Sequence, residues 1–331
     1  MRLRGVNWYG AESPDFVVGG LHRQPLERIV ALITALGANC VRLPFSNQLV
    51  AENPTVPDAA VAANPALRGQ SALAVFDQTV AALTAAGLAV ILDNHTSFAD
   101  WCCDRGDGND LWHVSAYPEA VWIAHWTLLA QRYRADPLVI AADLRNEPRG
   151  PARWTSRQPA YSWRDAAERA GAAILAENPD LLIVVEGIDH ASDVRGAADA
   201  PVRLPAPGRL VYSVHDYVWY HARPRSAQSM RRRWERRWGD LGNTPLFVGE
   251  FGLDIGEWTE GSDRATALWL RVLLDYLDER DASWTYWPLN GTMSSATPGR
   301  GRVFGAREPF GLLTPEWDGP ANEGLTRWLF S

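Results

Sequence analysis

Short apolar runs alternate with longer stretches of helical period along the whole of this 331-residue chain, and that alternation is the strongest limit on its fold. Strand-like runs fall at residues 3–7, 39–43, 89–93, 140–144, 181–185, 210–214, 246–249 and 283–287. Helical periodicity covers 25–36, 74–86, 119–133, 162–177, a weak segment near 192–198, then 226–238, 263–280 and 322–330. Gly37 and Gly87 follow their helices, where a residue free to adopt positive φ ends a helix well. Eight strand–helix units closing on themselves make an α/β protein of the (β/α)8 TIM-barrel class. No linker or low-complexity segment divides the sequence, so residues 1–331 are expected to form a single domain.

Composition removes several classes of function. All 32 basic residues are arginine, which excludes a Schiff-base lysine, pyridoxal attachment and a phosphate-loop lysine together. A net charge of −7 argues against a nucleic-acid surface, and no apolar stretch approaches the roughly 18 residues of a membrane span. The basic run from Arg231 to Trp238 is expected to be an exposed helix face with Trp234 and Trp238 turned inward. Three cysteines without paired zinc-type spacing predict no metal site and no cofactor. Cys40 lies in a strand and is expected to be an inert buried thiol, whereas Cys102 and Cys103 either close a vicinal disulfide or remain two thiols. The chain opens on Met1-Arg2-Leu3-Arg4-Gly5 with no hydrophobic signal region. It is therefore read as cytoplasmic, or as secreted if a signal was removed, and as a monomer.

Polar residues recur at the C-terminal ends of the strands, the end at which a barrel of this kind builds its active site. Arg42 ends strand two, Asn94 and His95 strand three, Asn146 and Glu147 strand four, His215 and Tyr217 strand six, Glu250 strand seven and Trp287 strand eight. Taken singly each has a structural explanation: a satisfied core histidine, a buried ion pair, a loop cap, a packed indole. Set at one end of one barrel, they point to chemistry. Two rigidly held carboxylates that face each other are the minimum needed to cleave a glycosidic bond, one as proton donor and one as nucleophile.

The same residues resemble glycoside hydrolase family 5, the cellulase-like retaining β-glycosidases with catalytic glutamates on strands four and seven. Asn146-Glu147-Pro148 is similar to that family's acid/base motif and Gly249-Glu250-Phe251-Gly252 to its nucleophile motif. The resemblance runs from Gly5-Val6-Asn7-Trp8 to Gly311-Leu312-Leu313-Thr314-Pro315-Glu316-Trp317. It implies a retaining double displacement through a covalent glycosyl-enzyme, with Glu250 as nucleophile and Glu147 as acid/base. Arg42 and Tyr217 would keep Glu250 anionic, while burial and the neighbouring carboxylate would raise the pKa of Glu147, with His215 tuning it. Asn146 would reach the sugar 2-hydroxyl, His95 another hydroxyl, and Trp287 would form the floor under the ring.

The partner is thus expected to be a carbohydrate or other β-glycoside, with sugar, linkage and exo or endo action left open. Long loops at 44–70 and 96–118, with Trp101, Trp112, Trp154 and Trp219, are candidate walls of a groove or pocket. About half of the sixteen tryptophans are expected to serve as sugar platforms and half as core. The absent signal leans toward imported oligosaccharides, glycolipid or a small secondary-metabolite glycoside rather than insoluble polymer. The alternatives are a transglycosylase or biosynthetic enzyme with another acceptor than water, and a non-catalytic carbohydrate-binding barrel.

Overall fold

A computed structural model describes residues 2–103, 106–222, 226–238, 241–259, 261, 264–294 and 303–331. Eight parallel strands close into a barrel in sequence order, β8 pairing back onto β1. They are β1 (Arg4–Asn7), β2 (Cys40–Ser46), β3 (Ala89–Thr96), β4 (Val139–Asp143), β5 (Leu182–Glu186), β6 (Leu210–His215), β7 (Leu246–Glu250) and β8 (Ser283–Tyr286). The helices are α1 (Leu26–Ala35), α2 (Asn47–Glu52), α3 (Ala72–Ala85), α4 (Glu119–Arg132), α5 (Trp163–Glu177), α6 (Gly196–Asp199), α7 (Ala227–Trp238), α8 (Ala265–Glu279) and α9 (Glu323–Phe330).

Every expected strand is present, but β2 and β3 run three residues further than their apolar runs suggested. Arg42 therefore lies inside β2 and not at its end, and Asn94 and His95 lie within β3. Pro44 hid the extension of β2, and Asn94-His95-Thr96 that of β3, because a proline or a polar run interrupts the apolar pattern by which a strand is read. The weak fifth helix is one short turn, α6, and α2 gave no separate periodic signal. Asp263, the expected start of the eighth helix, lies outside the described residues. Gly37 and Gly87 take φ values of 93° and 81°, as helix-ending glycines do.

Two apolar zones follow from the period-two alternation of a strand. Val90, Leu92, Ala142, Ile183, Val185 and Val248 belong to the large core shared with the helices. Ile91, Ala141, Val184 and Phe247 form a separate buried cluster inside the barrel. Two residues further along β3, β4 and β5, on that same inward face, stand Asp93, Asp143 and Glu186, all fully buried. The barrel interior is thus apolar below and charged above. The arginine-rich helix α7 turns Trp234 and Trp238 inward and leaves its arginines at the surface.

Candidate active site

Arg42 is the hub on which the charged layer is assembled. Its guanidinium is fully buried and reaches Asp143 Oδ2 at 2.8 Å, Glu186 Oε1 at 2.8 Å, Asp93 Oδ1 at 3.1 Å and Glu250 Oε1 at 2.7 Å. It also donates to Asn7 Oδ1 and to Asn146 Oδ1, both at 3.0 Å. Burial would strip its proton, but the surrounding carboxylates outweigh that and raise its pKa well above the ordinary value. Burial and the proximity of Glu186 together push the Asp143 carboxyl far up, against the opposing pull of Arg42. One oxygen each from Asp93, Asp143 and Glu186 lie within 4.8 Å of one another, close enough for a cation. The guanidinium already sits among them, so the chain itself supplies the positive charge that this cluster needs.

Glu250 closes β7 and owes its direction to a register shift. Val214 pairs with Val248, but His215 pairs with Glu250, so Gly249 is skipped. Because Phe247 faces into the barrel, strict alternation would send Glu250 outward, and the bulge turns it into the mouth. Gly249 fits there because a Cβ would stand 3.0 Å from both His215 Nε2 and Ser213 Oγ. The Tyr217 hydroxyl donates to Glu250 Oε2 at 3.0 Å. Its pKa is raised well above 10 by burial and by Glu250 and Glu147, so it stays a donor.

Glu147 lies four residues past β4, with φ of 49°, a conformation that a side chain makes costly. Fixed partners hold it there. Its backbone N–H donates to Glu186 Oε2 at 2.7 Å, and its carbonyl accepts from Arg149 at 3.1 Å. Trp122 and Trp126 of α4 both donate to the Leu144 carbonyl, at 3.1 and 3.0 Å. The carboxylate meets His215 Nδ1 at 3.0 Å and His190 Nδ1 at 3.2 Å. One oxygen from Glu147, one from Glu250 and a ring nitrogen of His215 all lie within 4.8 Å of one another.

The expected raised pKa of Glu147 is overturned. Burial does push it upward, but hydrogen bonds from His190 and His215 win and hold it well below the usual carboxylate range. His215 is shifted in the opposite sense. Burial lowers its pKa, yet Glu186, Glu250 and Glu147 around the ring raise it far above the ordinary value. His95 behaves alike on a smaller scale: burial opposes its charge, but Asp93, 2.7 Å from Nδ1, raises its pKa.

Above these groups opens a cleft of about 540 Å³ in which Glu147, Glu250, His95 and Trp287 are exposed to the interior space. Trp287 lies in a ring stack with His95 and Tyr9, at centroid distances of 5.3 Å in each case. Asn146, 1% exposed, is not on the cleft surface: Oδ1 is held by Arg42, and Nδ2 faces the sulfurs of Cys102 and Cys103, which are bonded to each other. Cys40 is buried, and burial pushes its thiol pKa up.

Several expectations about the walls are corrected. Trp101 and Trp219 line the cleft, but Trp112 and Trp154 belong to the core, their indoles bonded to Glu119 and to the Ala200 carbonyl. Only Trp101, Trp219 and Trp287 of the sixteen tryptophans line it, far from half, because most indoles fill the space between barrel and helices. Loop 96–118 supplies Trp101, Cys102 and Cys103, whereas loop 44–70 contributes no lining residue and supports its neighbour from behind, Gln48 N–H bonding the Ser97 carbonyl. In its place the segment after β8 brings Met293, Glu308 and Phe310.

Sequence reasoning missed Glu186, Asp93, Asp143, His190, Glu12 and Glu308. Glu186 had a signal, since it ends an apolar run as Glu250 does. Asp93 and Asp143 were visible as charges within strand-like runs. His190, Glu12 and Glu308 reach the cleft only through loop geometry, which no periodicity records.

Comparison with known proteins agrees with this geometry. The sequence model of the cellulase family, glycosyl hydrolase family 5, matches residues 3–292. An endoglucanase of Paenibacillus polymyxa is 34% identical over 87% of this chain and 75% of its own length. The major extracellular endoglucanase of Xanthomonas campestris is 32% identical over 88% of this chain, which spans 63% of that relative. The solved catalytic domain of the Xanthomonas enzyme superposes with a TM-score of 0.84 at 29% identity, covering 100% of this chain and 95% of that one. A cellotetraose complex of a Pyrococcus horikoshii endocellulase gives 0.83 at 28% identity, covering 100% and 93%.

Proposed function

From the premise that this chain belongs to glycosyl hydrolase family 5, we propose that it is a retaining endo-β-glucanase whose single catalytic domain cleaves β-1,4-linked glucose chains by double displacement. The observation that carries the mechanism is the closeness of the two carboxylates, with oxygens of Glu147 and Glu250 within 4.8 Å. Retaining enzymes hold their carboxyl groups about 5–5.5 Å apart, and inverting ones leave more room for a water. The names of the relatives, endoglucanase and endocellulase, support the glucan substrate and internal cleavage. Cys102–Cys103 as a disulfide and the extracellular Xanthomonas relative support action outside a reducing cytoplasm. No helix among the described residues is long and apolar enough to cross a membrane.

In the first step Glu250, oriented by Arg42 and Tyr217, attacks the anomeric carbon as the bond to the leaving oxygen breaks. The proton that oxygen needs is stored on His215 and passes through the 3.0 Å contact to Glu147, which delivers it. The pair then holds one proton fewer. In the second step Glu147 takes a proton from the incoming water, returns it to His215, and the water oxygen displaces Glu250. His95, with Nδ1 tied to Asp93, offers Nε2 to a sugar hydroxyl, and Trp287 offers an apolar ring surface beside it.

Kinetics of two variants test these roles. Glu250→Ala should lose turnover of every β-glucoside, by about 10⁴-fold or more. Glu147→Ala should keep glycosylation on dinitrophenyl glycosides, whose leaving group departs without a proton, and added azide should speed its deglycosylation and give a β-glycosyl azide. An α-azide, or full activity in Glu250→Ala, overturns the assignment.

A further inference from the structure

The feature that the mechanism above does not use is the disulfide between adjacent residues in the β3–α4 loop. We propose that Cys102–Cys103 is a specificity-determining wall of the cleft, against which the glucan packs beside the scissile bond, and that it also positions the Asn146 amide. This rests on the glucanase reading above.

Both cysteines line the cleft, and one sulfur of each lies with a Glu147 oxygen in a group whose members are all within 4.8 Å of one another. Glu147 must sit at the leaving oxygen, so the sulfurs flank the bond that breaks. Trp101, the preceding residue, meets Tyr9 edge-on at 5.4 Å and carries the same wall toward Trp287.

The bond also does little for the fold. It joins neighbours in sequence, so it closes the smallest of loops and removes the least chain entropy a disulfide can remove. The loop around it is fastened by other means: Ser97 N–H to Asn109 Oδ1 at 2.7 Å, Ala99 N–H to Gln48 Oε1 at 2.9 Å, and Arg149 to Asp107 at 2.6 Å.

A disulfide has no donor and is only a weak acceptor, while its sulfurs are polarisable and suit the C–H surface of a pyranose ring. Asn146 Nδ2 lies 3.4 and 3.5 Å from the two sulfurs, and Arg42 holds Oδ1 at 3.0 Å. The amide is thus pinned from both sides. Reduction by a dithiol adds two electrons and two protons, breaks the S–S bond and leaves two separate thiols, the dithiol closing into its own disulfide. Each sulfur is then free to turn, and both the wall and the amide's fixed orientation go with it.

The test compares the oxidised enzyme, the dithiothreitol-reduced enzyme and a Cys102→Ser/Cys103→Ser variant. Thiol titration after denaturation should find one thiol before reduction and three after; three before reduction overturns the proposal. KM for cellotetraose should rise about tenfold on reduction, more than kcat falls, with Tm shifting less than about 2 °C, and reoxidation should restore it. Cellotetraose affinity of the Glu250→Ala variant, measured by calorimetry, should weaken about as much on reduction, independently of turnover. Unchanged KM and affinity, or a Tm loss above about 5 °C, overturn the proposal. An oxidised enzyme that neither turns over a β-glucoside nor binds cellotetraose overturns the glucanase reading and this proposal with it; cellotetraose binding that reduction leaves unchanged overturns the disulfide's role alone.

Discussion

A single buried guanidinium organises the site at the scale of the residue. Arg42 touches Asp93, Asp143, Glu186 and Glu250, so Arg42→Met removes the one guanidinium these four acids share and is expected to cost about 3–5 kcal/mol in urea unfolding. A loss below about 1 kcal/mol would mean that protonation of those acids compensates. His215 gives a pH signature. Its folded pKa lies above the unfolded value of about 6.5, so its contribution to stability is complete below that pH and is lost as pH rises through the folded value. Glu147 works in the opposite sense: its folded pKa is depressed, so its contribution is present above about 4.3 and lost as pH falls toward the folded value. Between pH 6.5 and 9 the Tm of the wild type should therefore decline, and His215→Gln should flatten that decline. An identical slope in the variant would assign the alkaline loss to another group.

Elements meet at the strand ends through indoles and glycines. Trp163, at the start of α5, donates to the Glu186 carbonyl at 2.7 Å, so a helix on the outside fixes the strand end that carries an Arg42 and Glu147 partner. Trp163→Phe keeps the ring but leaves that buried carbonyl unpaired, and a loss of about 1–3 kcal/mol in thermal or urea unfolding is expected. Gly252 shows why the run Gly249-Glu250-Phe251-Gly252 ends in glycine. A Cβ there would stand 2.1 Å from the Trp287 carbonyl oxygen, which is backbone and has little room to yield. Gly252→Ala should push β8 and Trp287 outward, raising KM for cellotetraose as well as costing about 1–3 kcal/mol. A stability loss with KM intact would detach Trp287 from substrate binding.

Over the whole molecule, the cleft is built by segments far apart in sequence: Tyr217 and Trp219 after β6 stack at 4.4 Å, and Trp219 meets Phe310 from beyond β8 at 6.2 Å. Trp219 is 55% exposed, large and flat, at the edge of the cleft. Trp219→Ala should raise KM for cellotetraose about tenfold while leaving Tm within about 2 °C, because little core is lost. Equal effects on cellotetraose and on a short aryl glucoside would place this ring at the cleaved sugar and not beyond it.

Residue order alone determined the barrel, because strand and helix periods are local and eight repeats of one unit leave little choice of topology. It also exposed Glu147 and Glu250, since a carboxylate ending an apolar run stands out against its neighbours. The direction of the Glu147 pKa shift was decided only in three dimensions: His190, in the loop after β5, and His215, at the end of β6, reverse what burial by itself would do. The inward turn of Glu250 depends on a bulge between β6 and β7, and a bulge is a relation between two strands that neither strand's pattern contains. Which tryptophans line the cleft was likewise a tertiary matter, because an indole fills a core or faces a cleft with the same apolar surface, and only packing chooses between them.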